Sequence, residues 1–362
     1  MFSEIDTKDM QKPLITRDSY LAEKVVFIDG LAGCGKTLFS FLISAFERAE
    51  KINYSYEIEH LCAIRHLKRA ELDSVVGMIK MQTDLLVYDM MMSRNVNCRP
   101  GDLSSIFRHP DKLKYLKRFF LKGDKAIPER IKSEKPIIPI TVHQLLSISD
   151  HIFEALGNRA ALIEVVRHPL YMLIQQALNF EGIVFSTRDF SIYYSYENEQ
   201  MPWYVYGWEE DFKKANPIEK AILVMDKLGG NTDNMREIMK NKYPGQILTI
   251  SFERFVVNPN EYLTAIETLL GSKITKKTLR ILKEQKVPRT KYSAGIALEI
   301  YKRCGWVPPK EGLSEIGEFD FRRQYAMERV SPAIMKILDR LCATYEAKYM
   351  GGVLIGENGY KE

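Results

Sequence analysis

The chain has 362 residues, of which 46% are hydrophobic, and it carries a formal net charge of +5 at pH 7. This composition is typical of a globular protein with a sizeable core, and the mild positive charge suits an anionic ligand but argues against a nucleic-acid coat protein. The five scattered cysteines never form Cys-x-x-Cys, and no apolar run is long enough to span a bilayer. We therefore expect a soluble cytoplasmic protein with no disulfide framework, zinc site, membrane span or nucleic-acid partner.

The chain divides by composition into one large unit and two short flanks. Residues 1–23 are polar and mixed in charge, which is unlike a signal peptide. We predict a single domain over residues 24–350, with an aromatic-rich insertion near residues 181–215 and a tail over residues 351–362.

Residues 25–40 read V-V-F-I-D-G-L-A-G-C-G-K-T-L-F-S and contain the strongest motif of the chain. A short β-branched strand leads into Gly30-x-x-x-x-Gly35-Lys36-Thr37, a complete Walker A pattern, and a helix follows. Glycines let backbone N–H groups turn toward an anion, and a helix N-terminus adds partial positive charge. The sequence therefore predicts a phosphate-binding loop without naming the nucleotide. Its predicted ligand-contacting residues are Gly30, Ala32, Gly33, Cys34, Gly35, Lys36, Thr37 and Leu38.

The next segments leave alternatives open. Residues 54–73 look helical, with a basic cluster that we interpret as a solvated face. The apolar run over residues 83–89 ends in Asp89, and it is either a Walker B strand that supports magnesium or an ordinary strand or helix. Residues 90–107 form a polar loop, and residues 111–125 a basic surface helix.

Two further β-like runs, residues 136–141 and 160–166, are each followed by a helical segment. This spacing predicts parallel strands in one sheet, and ligands bind beyond the carboxyl ends of such strands. His143 and Arg167 both follow a strand end, as the phosphate-binding loop does. We therefore expect these three features to share one site.

The second half of the chain continues the alternation. Residues 189–208 are rich in tyrosine and tryptophan, and they form either an insertion packed on the core or a lid that binds an acceptor. A fourth strand is predicted over residues 246–251, a helix over residues 260–270, a basic loop over residues 287–295 and a closing helix over residues 331–349.

In this order the elements resemble the sulfotransferases that use 3′-phosphoadenosine 5′-phosphosulfate. Residues 161–169, A-L-I-E-V-V-R-H-P, are similar to the family's 3′-phosphate strand and loop. Residues 247–271, with S-F-E-R-F-V-V-N-P and a helix ending in Leu-Leu-Gly, resemble the family's Tyr-Glu-x-Leu and Phe-Leu-Gly stretch. The full Walker A pattern replaces the family's P-K-S-G-T-T form, and Gln175 stands where the family has a serine.

The resemblance implies an α/β fold, a central parallel sheet flanked by helices, of the kind found in P-loop nucleotide hydrolases. It implies 3′-phosphoadenosine 5′-phosphosulfate as the donor, no metal, and Lys36 and His143 as catalytic residues. Glu57, Glu59 and Asp102 are the alternative bases, since some family members use a carboxylate. The further donor contacts that it implies are Arg167, Gln175, Arg289 and Lys291.

The predicted reaction is transfer of a sulfuryl group to a hydroxyl or amine of an acceptor, with a glycan or a small metabolite expected. Two other functions stay open at this point. One is a P-loop kinase that uses ATP and magnesium, with Asp89 on the metal. The other is a non-catalytic nucleotide-binding module. The sequence makes no prediction of the acceptor's identity or of the oligomeric state.

Overall fold

The computed structural model describes residues 13–292 and 313–351. Its centre is a five-stranded sheet in the order β2-β3-β1-β4-β7, and every neighbouring pair in it is parallel. A separate antiparallel hairpin pairs β5 with β6. The strands are β1 (Lys24–Asp29), β2 (Asn53–Tyr54), β3 (Ile137–Thr141), β4 (Ala160–Val166), β5 (Tyr193–Tyr196), β6 (Glu199–Pro202) and β7 (Ile247–Ser251).

Helices cover both faces of this sheet. In the described part of the chain they are α1 (Lys36–Ile43), α2 (Tyr56–His66), α3 (Leu72–Met92), α4 (Lys112–Arg118), α5 (Ile127–Glu134), α6 (Asp150–Leu156), α7 (Pro169–Gly182), α8 (Glu209–Lys214), α9 (Pro217–Lys242), α10 (Phe252–Val257), α11 (Asn260–Leu270), α12 (Lys276–Glu284), α13 (Glu315–Met327) and α14 (Pro332–Tyr349).

Strand β1 lies at the middle of the sheet, and its side chains alternate between two cores. Val26 and Ile28 join the core under α1, α7 and α14, whereas Val25 and Phe27 join the core under α2, α3 and α6. All four side chains are fully buried. A strand covered on both faces reads as a continuous apolar run, and this explains the sequence of β1. The predicted fold class, a central parallel sheet flanked by helices, is confirmed.

The sheet order brings three strand ends together. Ile28 of β1 pairs with Thr141 of β3 on one side and with Ile163 of β4 on the other. The segments after β1, β3 and β4 therefore leave the same edge of the sheet side by side. This edge holds the phosphate-binding loop, His143 and Arg167, as the strand pattern predicted.

Of the alternatives for residues 83–89, the structure selects the helix, because the segment lies inside the 21-residue helix α3. The buried side chains Val75, Ile79, Thr83 and Val87 recur at every fourth residue, which is the spacing of one helix face. The short apolar run looked like a strand only when it was taken without its upstream turns.

Other differences concern the bounds of helices. The helical segment over residues 54–73 is divided into β2, α2 and the start of α3, and the basic helix over residues 111–125 is only α4. The 26-residue helix α9 was not predicted. Its beginning carries a full capping box, in which Asn216 and Glu219 bond each other's backbone around Pro217. This signal was present in the sequence.

Some predictions fall on residues that the structure does not describe. These are most of the polar segment over residues 1–23, the tail after residue 351 and residues 293–295 of the basic loop. The division of the chain into domains stays a prediction. Among the described residues no helix is long and apolar enough to cross a membrane.

Candidate active site

The predicted phosphate-binding loop joins β1 to α1 and contains three glycines with positive φ angles. Gly30, Gly33 and Gly35 have φ angles of 145°, 83° and 98°. A Cβ on Gly30 would meet the backbone oxygen of Val165, and one on Gly35 would overlap the ring of Phe252. Because these φ values are strained for side-chain-bearing residues, the loop conformation depends on glycine at both positions. The predicted loop therefore has its expected place and its expected backbone freedom.

Lys36 begins α1 and is 8% exposed. Its Nζ donates to the carbonyl of Gly30 at 2.5 Å and to that of Leu31 at 3.3 Å. The ammonium is thus held on carbonyls of its own loop, over the turn that would receive a phosphate. A phosphate oxygen would be a stronger, charge-assisted acceptor than these carbonyls.

Helix α7 and the end of β4 brace the loop from outside. The amide of Gln176 donates to Ala32 O at 3.1 Å, and Arg167 Nη1 donates to Gly33 O at 2.9 Å. Gln175 packs its Cβ 3.4 Å from where a side chain of Gly33 would begin, while its amide donates to Asn179 Oδ1 at 3.0 Å. The bonds from Gln176 and Arg167 occupy carbonyl oxygens of the loop and none of its N–H groups.

Two arginines converge on the ring of Phe252, the first residue of α10. The guanidinium carbons of Arg167 and Arg289 lie 4.3 Å and 5.4 Å from the ring centroid. The Nε atoms of both arginines are buried, and neither has a hydrogen-bond partner among the described residues. Burial and the charge of Arg167 lower the pKa of Arg289 to about 10, so the guanidinium of Arg289 stays charged at neutral pH. Two half-buried guanidinium groups whose buried Nε atoms have no hydrogen-bond acceptor are suited to a bound anion.

Glu253 positions this pair from the side of the core. Its fully buried carboxylate accepts from the hydroxyl of Tyr345, on α14, and from His168 N at 3.3 Å. It lies 3.7 Å from Arg167 Nε, which is an ion pair rather than a hydrogen bond. The single carboxylate therefore offsets only part of the charge of Arg167 and Arg289.

His143 lies across β1 from this pair, beyond the end of β3. Its Nδ1 is 3.1 Å from Glu59 Oε1, and the ring of Tyr56 stacks on it at 6.4 Å with a 12° interplanar angle. Because a carboxylate only accepts, this contact favours the neutral tautomer that has its proton on Nδ1 and a lone pair on Nε2. Among the described residues no hydrogen bond occupies Nε2. The arrangement can therefore accept a proton.

Asp29, the last residue of β1, fixes the turn that carries His143. Its buried carboxylate accepts from the N–H groups of Leu145 and Leu146 at 3.1 Å and 2.7 Å. A second link joins the elements, because Ser40 Oγ of α1 lies 2.6 Å from Thr141 Oγ1. The phosphate-binding loop and the histidine turn are thereby held as one unit.

The aromatic insertion reaches the side of His143. Phe190 contacts the ring of Tyr56 at 5.6 Å, and its carbonyl lies 2.6 Å from His60 Nε2. Farther on, Trp203 is buried against His66 of α2. Trp203 therefore packs on the core, whereas the exposed ring of Phe190 lies beside Tyr56 and His60. A role of the insertion as an acceptor-binding lid stays a prediction.

The carboxylates predicted as alternative bases or as a magnesium ligand have different surroundings in the structure. Only Glu59 reaches His143, whereas Glu57 is exposed and accepts from Ser55 Oγ at 3.1 Å. Asp102 accepts from Ser104 within its own loop. Asp89 lies on α3, and its two oxygens accept from Arg94 at 2.7 Å and Asn95 at 2.8 Å.

The remaining candidate, Lys291, is exposed and donates to Leu313 O at 3.1 Å. No described contact joins it to the two arginines. Phe252, Gln176 and Asp29 were not singled out from the sequence. For Asp29, the position directly after the strand and before the glycine loop was the available signal.

Similarity to known proteins comes from solved structures alone. The sulfotransferase domain of the Synechococcus PCC 7002 olefin synthase aligns with a TM-score of 0.43 and 14% identity over 93% of this chain and 98% of that one. The sulfotransferase domain from the curacin biosynthetic pathway aligns with a TM-score of 0.43 and 11% identity, over 91% of this chain and 99% of that one. Sulfotransferase STF9 from Mycobacterium avium aligns with a TM-score of 0.41 and 12% identity, over 91% of this chain and 78% of that one. No family model matches the chain, and no curated protein matches it.

Proposed function

We propose that this protein is a sulfotransferase that moves a sulfuryl group from 3′-phosphoadenosine 5′-phosphosulfate to a hydroxyl or amine of an acceptor. The observation that carries the proposal is that two groups of cationic side chains lie next to each other at the carboxyl edge of the sheet, and we propose that each binds an anion. One is the glycine loop with Lys36, and the other is the arginine pair on Phe252. Arg167 connects the two, since it also donates to Gly33 O.

A nucleotide with phosphate groups at both the 3′ and the 5′ position fits two such sites. The loop N–H groups, Lys36 and Thr37 would hold the 5′-phosphosulfate, and Arg167 and Arg289 would hold the 3′-phosphate. The buried Nε atoms of these arginines support this fit, because they would otherwise remain without acceptors. A 5′-triphosphate would occupy the loop and leave the arginines unused.

In the proposed reaction the acceptor oxygen attacks sulfur, and the bond from sulfur to the phosphate oxygen breaks. His143 Nε2 takes the acceptor's proton, while Glu59 holds the ring in the required tautomer. The electron pair of the broken bond stays on the leaving phosphate, where Lys36 and the loop N–H groups stabilise the charge. We propose a glycan or a small metabolite as the acceptor.

A P-loop kinase is the second candidate. It is the weaker one because its proposed magnesium ligand, Asp89, lies on a helix and already neutralises Arg94 at 2.6 Å. A nucleotide-binding module without catalysis has no observation in its favour, since His143 and Glu59 beside the loop would then lack a role.

The decisive test compares ligands in thermal unfolding of the full chain. We expect 3′,5′-bisphosphoadenosine to raise the midpoint without magnesium, because a ligand at about 100 times its Kd stabilises the native state by about 2.7 kcal/mol. If ATP with magnesium raises the unfolding midpoint more than the bisphosphate does, and ATP is consumed, the protein is a kinase. Binding of the bisphosphate with no transfer to any acceptor would assign a module.

A further inference from the structure

The outer face of α4 and the turn after it expose an unusual amount of apolar surface. Phe120 is 90% exposed, and Leu113, Phe119 and Leu121 are each about half exposed. Isolated exposed apolar residues are ordinary, but four of them within residues 113–121 favour an interaction site. We call this region the α4 surface; it consists of Leu113, Lys117, Phe119, Phe120, Leu121 and Lys122.

The same region concentrates the positive charge of the chain. Residues 108–135 contain ten Lys or Arg and four Asp or Glu, a net charge of +6, against +5 for the whole sequence. Three of the four acids are already engaged: Asp111 by Lys277, Asp124 by the hydroxyl of Tyr88 and Glu134 by Arg118. In contrast, the described ion pairs do not include the exposed Lys112, Lys117, Lys122 or Lys125.

The exposure of these side chains does not result from a loosely packed segment, because the inner face of α4 is firmly anchored. On the inner face of α4, the hydroxyl of fully buried Tyr115 donates to Glu50 at 2.8 Å. Arg118, 4% exposed, donates to both oxygens of Glu50 at 2.9 Å and 3.0 Å. This anchor fixes the rotation of the helix, so its opposite face is held toward solvent.

Helical spacing explains how charge and apolar surface combine. Leu113, Lys117 and Phe120 are four and three residues apart and share the outer face. A backbone bond from Phe120 N to Lys117 O at 3.1 Å continues the turn beyond the last residue of α4. Lysine stems can lie along an apolar surface with the ammonium outside, so Lys117 and Lys122 can flank an inserted phenyl ring.

We propose that the α4 surface docks the protein onto an anionic membrane surface, with Phe120 inserted between lipid headgroups. Exposed aromatic and leucine side chains flanked by lysines are the composition of interfacial lipid-binding elements. The apolar group protrudes from the end of a helix, whereas a protein partner's anchor needs a shaped cavity to receive it. A lipid interface needs no such cavity, and its negative charge complements the lysines.

The position of this surface in the fold is consistent with docking that leaves the active site free. Glu50 N donates to Ile137 O, at the beginning of β3, so the anchor of α4 lies at the amino edge of the sheet. The candidate active site lies at the carboxyl edge. Docking would therefore concentrate the protein at a membrane while its active site faces away from it, and the proposal does not depend on the proposed reaction.

The test is co-sedimentation of the full chain with vesicles of phosphatidylcholine, with or without one third phosphatidylserine. We expect binding only with phosphatidylserine, and its loss in 1 M salt, where the Debye length falls to about 3 Å. Phe120→Ala should weaken binding about tenfold. Lys117→Gln with Lys122→Gln should weaken it about thirtyfold, since each lysine near the surface contributes about 1 kcal/mol.

Matched controls keep the result specific. Phe321→Ala removes a ring that is 52% exposed on α13, and Lys276→Gln with Lys283→Gln removes two exposed lysines of α12. Neither should alter vesicle binding, and all variants should keep the wild-type midpoint of unfolding. In Phe120→Trp, indole emission should shift to shorter wavelength with anionic vesicles if the side chain inserts.

Three results would overturn the proposal: no binding to anionic vesicles, equal losses in the α4 and control variants, or electrostatic binding that Phe120→Ala leaves unchanged. Binding to polyglutamate without binding to vesicles would also overturn it, and would point to an acidic protein partner.

Discussion

The two edges of the sheet bury charge in opposite ways. At the amino edge, Glu50 is 1% exposed, and Arg118, Lys114 and the hydroxyl of Tyr115 all bond its carboxylate at 2.8–3.0 Å. Burial alone would raise the pKa of Glu50, but Lys114 and Arg118 hold it well below its usual range. At the carboxyl edge, Arg167 and Arg289 keep buried Nε atoms without acceptors.

This difference separates structural charge from charge that is reserved for a ligand. A buried ion that is fully paired holds elements together, and it tolerates no missing partner. A buried donor without an acceptor costs free energy that a bound anion can recover. Substitutions at the amino edge should therefore affect stability, and substitutions at the carboxyl edge should affect binding and turnover.

The largest expected effect is at Lys36. Lys36→Ala should abolish transfer and sharply weaken donor binding, because it removes the full charge that the loop offers to the phosphate. Turnover and donor affinity are the measurements, with the unfolding midpoint as the check on folding. Near-wild-type turnover would refute the assignment of the phosphate-binding loop.

His143→Ala should lower turnover by about 10²–10⁴, the usual scale for loss of a general base, while the affinity for 3′,5′-bisphosphoadenosine stays almost unchanged. His143→Lys should not restore the rate fully, because a protonated amine cannot accept a proton at neutral pH. If His143→Ala keeps most of its turnover in a donor-saturated assay, the base is elsewhere.

Glu59→Gln sharpens this result, because Glu59 acts through His143 rather than on the acceptor. We expect about a tenfold loss of kcat with little change in KM. The nitrogen NMR signals of the His143 ring should report a mixture of tautomers in place of the Nδ1–H form. An unchanged tautomer with a lower rate would instead make Glu59 the base.

At the amino edge, Arg118→Leu should lower the free energy of unfolding by about 3–5 kcal/mol, since it leaves the Glu50 carboxylate undercompensated in the core. Nucleotide affinity of the folded protein should not change. Arg340→Leu is the matched control: it breaks an exposed pair with Asp226 and should cost about 1 kcal/mol or less. Equal losses in denaturant titrations would mean that the buried cluster has no special structural role.

Arg167→Ala should weaken binding of a 3′-phosphorylated nucleotide by about 1.5–3 kcal/mol, the scale of a lost charge-assisted hydrogen bond. Binding of the same nucleotide without its 3′-phosphate, measured by calorimetry, should barely change. Equal losses for the two nucleotides would show that Arg167 only braces the loop through Gly33.

The smallest effect is a pH dependence at the amino edge. Burial, followed by the charge of Lys114, lowers the pKa of His109 to about 4, and its Nε2 lies 3.0 Å from Ser44 O. Between pH 6.5 and pH 4, His109 is protonated in the unfolded chain but stays neutral in the folded chain. The free energy of unfolding therefore falls as the pH falls. We expect a loss of about 1–2 kcal/mol between pH 7 and pH 5. In urea titrations, His109→Gln should reduce the dependence of the unfolding free energy on pH. If the variant shows the same pH profile as the wild type, His109 is not the group responsible.

Local patterns predicted much of the fold because the determining interactions are short in sequence. Strand β4 coincides with the predicted residues 160–166, and α11 with residues 260–270, ended by Gly271 at a φ of 57°. Residues 83–89 stayed open between strand and helix, because an apolar run of this length suits either a strand or one side of a buried helix. Only the packing of α3 along its whole length decided between them.

The sequence by itself determined the glycine loop between β1 and α1 and the parallel direction of the strands, since both follow from adjacent residues and from the geometry of the chain. The tertiary structure decided which side chains complete the candidate site. Glu59 and His143 are 84 residues apart, and Arg167 and Glu253 are 86 apart along the chain. Such pairs form only when α2 and α10 pack at the carboxyl edge, because no local preference of the backbone acts over that separation.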